Sequence, residues 1–325
     1  MFVSLLVYME RKYLTVETFI PDKSNALFQL AADLINQSNR TIFLTGKAGT
    51  GKTTFLKYIR ESCIKQMAVV APTGVAAINA GGVTIHSFFQ LPLTLFVPEA
   101  SGFRENNETI NRHTLLSRLR MNNDKKKLLQ ELELLVIDEI SMVRCDTLDA
   151  IDTILRHVRH RAHERFGGVQ VLFIGDLFQL PPVIRDEEWN ILSEYYSSPF
   201  FFSSQVLNEQ PPLYVEFDKI YRQSDEQFIQ LLNQVRNNIL DERGLETLEK
   251  RFNPSFHPQK EEGYIILTTH NNRADSINNS ELQKLAEKSV SSKATIEGEF
   301  PDKAYPADEI LNLKKGAQVM FIKND

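Results

Sequence analysis

Apolar residues in this chain follow two periodicities. From Ala26 to Gln37 they fall at helical spacing, with Leu27, Leu30, Ala31, Leu34 and Ile35 on one face. Short continuous apolar runs then appear at Thr41 to Leu44, Met67 to Ala71, Leu132 to Ile137 and Val169 to Ile174, and these predict buried strands. Helical segments lie between them, from Lys52 to about Ile64 and from Asp146 to about Glu164. Ala76 to Asn79 predicts a helical turn that Gly81 and Gly82 break, and Thr84 to Phe89 resumes order. Strands alternating with helices in this way predict an α/β fold, with a parallel sheet covered by helices on both faces. Ligand loops are then expected at the carboxyl ends of the strands.

The rhythm loosens from Gln90 to Leu129, where Pro92, Pro98 and Gly102 interrupt it and a basic-rich stretch runs from Arg112 to Lys127. This region, about residues 90–130, reads as a small inserted subdomain. Pro211 and Pro212 mark a boundary. Beyond it, Leu213 to Phe217, Tyr264 to Thr268 and Ala317 to Ile322 predict strands, and Glu226 to Asn237 a helix. The expected organisation is an arm over residues 1–24, a first domain over 25–212 and a partial second domain over 213–325. There is no internal repeat and no low-complexity tract.

At 325 residues the chain is long enough for two domains. Its formal net charge is -5, so any surface for nucleic acid must be a local groove. Two cysteines, Cys63 and Cys145, make no disulfide framework and suit a reducing cytosol, so a cytoplasmic location is expected. Met1 to Tyr8 is apolar but short, with no basic residue before it and no cleavage pattern after it, and reads as a packing arm or tail. Spanning a bilayer takes about 20 apolar residues, no such run exists, and no membrane partner is expected.

The predicted strand tips carry the chemistry. G-K-A-G-T-G-K-T, Gly46 to Thr53, matches the phosphate-loop pattern in full, between an apolar strand and a helix. Its backbone, through Gly46, Ala48, Gly49, Thr50 and Gly51 and on into Thr54, presents N–H groups to phosphate oxygens at a helix N-terminus. Lys52 should reach the β- and γ-phosphates, and the Thr53 hydroxyl should bind Mg²⁺. Asp138 and Glu139 end the next buried strand. The first suits Mg²⁺, and the second, pointing elsewhere, suits a base that polarises the attacking water. The segment F-G-G-V-Q-V-L-F-I-G-D-L-F-Q-L-P-P, Phe166 to Pro182, is a strand whose loop holds Gln179 between prolines. A neutral amide there can orient water or report the γ-phosphate. In K-I-Y-R-Q, Arg222 is placed to bridge to the γ-phosphate or else to make a surface ion pair, and Tyr221 to stack on adenine or to pack in a core.

A-P-T-G-V-A-A at 71–77, T-I-H-S-F-F at 84–89, V-I-D-E-I-S-M-V at 136–143 and G-D-L-F-Q-L-P-P at 175–182 resemble the Pif-one (petite integration frequency) DNA helicases of superfamily one, beside RecD. The segment from Asp146 through R-H-V-R to F-G-G-V-Q resembles that family's signature. The likeness implies RecA-like domains, ATP and Mg²⁺ at the phosphate loop, and hydrolysis by Lys52, Asp138, Glu139, Gln179 and Arg222. It also implies translocation 5′ to 3′ on single-stranded DNA by a monomer, and opening of duplexes with a 5′ tail. Thr73, Thr84 and His86 would touch DNA in the first unit, with His270 and Asn271 in the second. The family carries a Gln-containing adenine motif before the phosphate loop, and here Asn25 takes that place because Gln29 lies within the helix. The chain ends at K-N-D where the family continues, so a truncated helicase is expected, without the later arginine for the γ-phosphate.

Other features carry plainer expectations. His157, His160 and His163 recur every three residues, but the arginines around them favour a basic helix face over a metal site. Lys125 to Lys127 reads as a solvated face. Phe96 and Phe103 read as a small core, with parting of a duplex as the alternative. The alternatives to a helicase are a non-hydrolysing fragment that binds ATP and single-stranded DNA, and a nucleotide kinase, which would not need the A-P-T-G and T-I-H-S segments.

Overall fold

The computed structural model describes residues 25–98, 109–208, 210–221, 225–256, 264–295 and 309–319. In chain order the elements are α1 (Ala26–Gln37), β1 (Ile42–Gly46), α2 (Lys52–Ser62), β2 (Met67–Ala71), α3 (Gly74–Ala80), β3 (Val83–Thr84) and α4 (Ile85–Phe89). Then come β4 (Leu95–Val97), β5 (Thr109–Asn111), α5 (Arg112–Arg118), α6 (Asn123–Glu131), β6 (Leu134–Ile137), α7 (Cys145–Val158) and β7 (Gln170–Ile174). They are followed by α8 (Asp186–Leu192), α9 (Gln205–Asn208), β8 (Leu213–Phe217), α10 (Glu226–Arg236), α11 (Glu242–Glu249), α12 (Asn271–Lys284), β9 (Val290–Lys293) and β10 (Ile310–Leu313).

A six-stranded sheet in the order β3-β2-β6-β7-β1-β8 organises the molecule, and every pair in it is parallel. Residue parity sorts the strands between two cores. Phe43, Leu135, Ile137, Val171 and Phe173 face one side with Phe88, Phe89 and the apolar stripe of α7. Ile42, Leu44, Leu134, Val136, Leu172 and Ile174 face the other with α1 and α2. Burial on both faces is why these strands read as continuous apolar runs rather than alternating ones.

Several expectations shift. The buried face of α1 is Phe28, Ala31, Ala32 and Ile35, and Leu30 is 48% exposed. Phe28 rotates that face inward by packing edge-on against Phe55 and stacking near Phe217. Leu213–Phe217 was expected to open the second domain. It is instead the edge strand of the first sheet, paired in register with β1 from Ile42↔Leu213 to Gly46↔Phe217. The sheet therefore continues past Pro212. Tyr264 to Thr268 forms no strand, and Ile265, Ile266 and Leu267 are exposed. A strand exists only through a ladder partner, and none lies beside it among the described residues. The antiparallel pair β9–β10 is exposed along its length. Met1 to Tyr8, Phe103, and Met320 to Ile322 of the last expected strand lie outside the described residues, whereas Phe96 is buried, in the main core rather than in a small core of its own.

The signature segment ends its helix early. α7 stops at Val158, and His160 adopts φ 57, so the three histidines do not share a helical face. Arg156, Arg159 and Arg165 are staples rather than a face offered outward, while Arg161 stays exposed and pairs with Glu164. Arg159 Nε donates to the Gly167 carbonyl, and its Nη1 donates to those of Leu129, Gln130 and Leu132 at 2.6–2.9 Å. One guanidinium thus satisfies the carbonyl end of α6 and ties it to the turn before β7. Arg156 is held by Asp152, and Arg165 by the Gln210 carbonyl. Lys125 is not simply solvated, since its ammonium sits 3.8 Å from the Phe88 ring centroid. Arg159→Ala is expected to lower stability by about 1.5 to 3 kcal/mol, the range for hydrogen bonds to a charged group. Urea denaturation checks this, and an unchanged midpoint would make the staple redundant.

Candidate nucleotide and nucleic-acid site

β1 runs into the glycine loop at Gly46, whose φ is 148. A Cβ there would meet the Phe217 carbonyl at 2.5 Å and Thr50 Oγ1 at 2.6 Å, so the loop can close only around glycine. Gly51, at φ 91, caps α2 in the left-handed region. Lys52 opens that helix and donates to the carbonyls of Gly46 at 2.6 Å and Lys47 at 3.1 Å. Burial lowers its pKa, while the charges of Asp176, Glu139 and Asp138 pull it back up and Arg236 pushes it down. Three carboxylates and a second cation therefore share the field of one ammonium. Thr53 and Ala48 are exposed beside it. The Thr50 hydroxyl and its N–H both donate to the Lys47 carbonyl, at 2.8 and 3.3 Å, and close the turn of the loop.

The loop is braced from two distant places. Asn25 caps α1 by accepting from the Phe28 N–H, and its amide donates to the Tyr221 hydroxyl at 3.0 Å. The Tyr221 N–H donates to the Gly49 carbonyl, and its ring lies against Gly51. Tyr221 is 48% exposed, so it is a surface ring beside the loop and not core. Arg222 lies outside the described residues.

At the β6 tip, Asp138 donates its N–H to the Val70 carbonyl and accepts from the Glu139 N–H at 3.0 Å. Glu139 takes φ 51, a left-handed conformation that costs a non-glycine residue about 1–2 kcal/mol. Burial, with the neighbouring Glu139 charge, raises the Asp138 carboxyl to about 6. At the β7 tip, Asp176 accepts from the Phe178 N–H and, at 3.4 Å, from the Gln179 amide. Glycine loop, hydroxyl, paired carboxylates and amide are a donor set that fits a nucleoside triphosphate with Mg²⁺.

Thr73 and Thr84 stand at the ends of β2 and β3 on the same edge of the sheet. Each hydroxyl caps a short helix, accepting from Ala76 and Ser87. His86 follows Thr84, and burial, with the Arg144 charge, lowers its pKa below the ordinary histidine value. His270 and Asn271 are exposed at the start of α12, and no hydrogen bond among the described residues joins them to the first group. Sequence reading missed Arg236, whose guanidinium grips Asp176. Nothing in its local pattern distinguishes it from any last-turn arginine.

A parallel sheet with this loop and these strand tips is the core of a RecA-like phosphate-loop nucleotide-binding protein. The PIF1-like helicase family matches residues 20–244, and the chain belongs to that family. It is 33% identical over 309 residues to the ATP-dependent DNA helicase PIF1 of Saccharomyces cerevisiae, covering 89% of this chain and 32% of that protein. To the human ATP-dependent DNA helicase PIF1 it is 32% identical over 300 residues, covering 88% of this chain and 41% of the relative. Bacteroides Pif1 bound to single-stranded DNA superposes with a TM-score of 0.78 at 40% identity, covering 93% of this chain and 66% of that one. The same helicase with ADP-AlF3 and single-stranded DNA gives 0.74 at 39% identity, covering 91% and 64%. The chain thus spans well under half of these curated relatives. No helix among the described residues is long and apolar enough to cross a membrane.

Proposed function

We propose that this chain supplies the ATP-hydrolysing unit of an ATP-dependent DNA helicase that moves 5′ to 3′ on single-stranded DNA and opens duplexes with a 5′ tail. The observation that carries this reading is the convergence on one edge of one sheet. The tips of β1, β6 and β7 gather Lys52, Asp138, Glu139 and Gln179, while the tips of β2 and β3 present Thr73 and Thr84 alongside.

ATP with Mg²⁺ supplies the transferable phosphoryl group. In this reading Lys52 binds its β- and γ-oxygens, and Thr53 and Asp138 hold the cation. Glu139 draws a proton from water, Gln179 orients that water, and Arg222 approaches the γ-phosphate. Asn25 and Tyr221 border the loop where a base would lie. Thr73, Thr84 and His86, with His270 and Asn271, contact the strand through mostly uncharged groups. Binding should therefore be sequence-tolerant and only weakly sensitive to salt, since log affinity falls by about 0.7 per decade of salt for each phosphate neutralised.

The test is ATP turnover with and without single-stranded oligonucleotide, paired with a salt titration of binding. About tenfold or greater stimulation is expected, with a shallow slope equivalent to about two phosphates. Turnover indifferent to DNA would remove the helicase reading and favour small-molecule phosphoryl transfer.

A further inference from the structure

Arg236 closes α10, in the segment that leads away from the sheet. Its Nη2 donates to Asp176 Oδ1 at 2.9 Å and its Nε to Oδ2 at 3.2 Å, across 60 residues of sequence. The pair is shielded, with side chains 15% and 2% exposed. The guanidinium also lies 4.1 Å from the centroid of the Phe178 ring. Such a fork with a stacked ring fixes direction as well as distance.

What it fixes is the loop that carries Gln179. Asp176 receives the Phe178 N–H at 3.1 Å and the Gln179 amide at 3.4 Å, and its carbonyl receives the Gln179 N–H at 2.9 Å. Leu177 packs against the core and Pro182 is buried at the two ends of the loop, but the residues between and beyond them offer little packing: Phe178, Leu180 and Val183 are 62%, 68% and 82% exposed. Burial alone would raise the Asp176 carboxyl, but the Arg236 guanidinium and the Phe178 N–H hold it below the usual carboxylate value. The Asp176 charge also raises the Lys52 pKa against the lowering by burial. One arginine on α10 thus reaches both the amide loop and the phosphate-loop lysine through a single carboxylate.

We propose that Arg236 is a positioning residue for hydrolysis: it holds Asp176, and through it Gln179, so that a shift of α10 is transmitted to the group that orients the attacking water. The role of Gln179 rests on the function proposed above, while the clamp itself does not. A purely structural ion pair would lower stability and leave the response to DNA intact.

The test compares Arg236→Gln and Arg236→Lys with the parent chain by amide hydrogen exchange, ATP binding and turnover with and without single-stranded DNA. In Arg236→Gln, exchange at Phe178 and Gln179 is expected to quicken about tenfold. The Kd for ATP should stay within about threefold, and the factor by which DNA stimulates turnover should fall about fivefold. Arg236→Lys, which keeps the charge but loses the fork, should recover part of that factor. Unchanged exchange at the two amides overturns the clamp. Faster exchange with an unchanged stimulation factor overturns the positioning role. If the parent chain shows no stimulation by DNA, the helicase reading fails by itself, and the exchange data still decide the clamp.

Discussion

Glu139→Gln is expected to bind ATP with Mg²⁺ at nearly the parent affinity while its DNA-stimulated turnover falls by about 10² to 10⁴. The magnitude follows from replacing a proton acceptor by an isosteric amide that cannot take the proton. Binding should survive because the groups assigned to the phosphates and cation are Lys52, Thr53 and Asp138. Glu139 has a left-handed backbone, φ 51, and glutamine can adopt the same conformation. Single-turnover hydrolysis beside calorimetric titration separates the two effects. Near-normal turnover would move the base elsewhere, and equal loss of binding and turnover would make Glu139 structural.

Lys52→Ala should lose most nucleotide affinity, roughly tenfold or more. Hydrogen bonds to charged groups contribute about 1.5 to 3 kcal/mol, and each 1.4 kcal/mol is about tenfold. The ammonium already donates to the carbonyls of Gly46 and Lys47 at the loop. A nucleotide therefore exchanges those acceptors for phosphate oxygens, and the net gain is smaller than the bare contact. The substitution also removes the cation that balances Asp176, Glu139 and Asp138. Repulsion between those carboxylates and a triphosphate then adds to the loss. Calorimetry giving an unchanged ATP affinity would sink the role assigned to Lys52.

Much of the first domain was legible before any tertiary information. β2 was placed residue for residue at Met67–Ala71, and α1 at Ala26–Gln37. Burial on both faces leaves an unbroken apolar run, and helical spacing of apolar residues leaves its own local signature. The glycine loop and the carboxylate pair were legible for the same reason, because their chemistry sits in contiguous residues at the end of a recognisable strand. The resemblance named the family, which the PIF1-like family match over residues 20–244 then showed.

Long-range pairing could be settled only in three dimensions. β8 has the sequence of any strand, and only its register against β1 places it in the first sheet. Tyr264 to Thr268 has strand composition too, yet it lacks a ladder partner among the described residues and forms none. Arg159 reads as part of a basic face, but it turns inward because the carbonyl end of α6 is folded against it. Asn25 and Tyr221 meet across 196 residues, and Arg236 and Asp176 across 60. Periodicity and spacing report what a residue does for its own helix or strand. Which donor finds which acceptor depends on how separate elements close on the sheet, and that closure brings Asn25, Tyr221 and Arg236 to the edge where the phosphate loop lies.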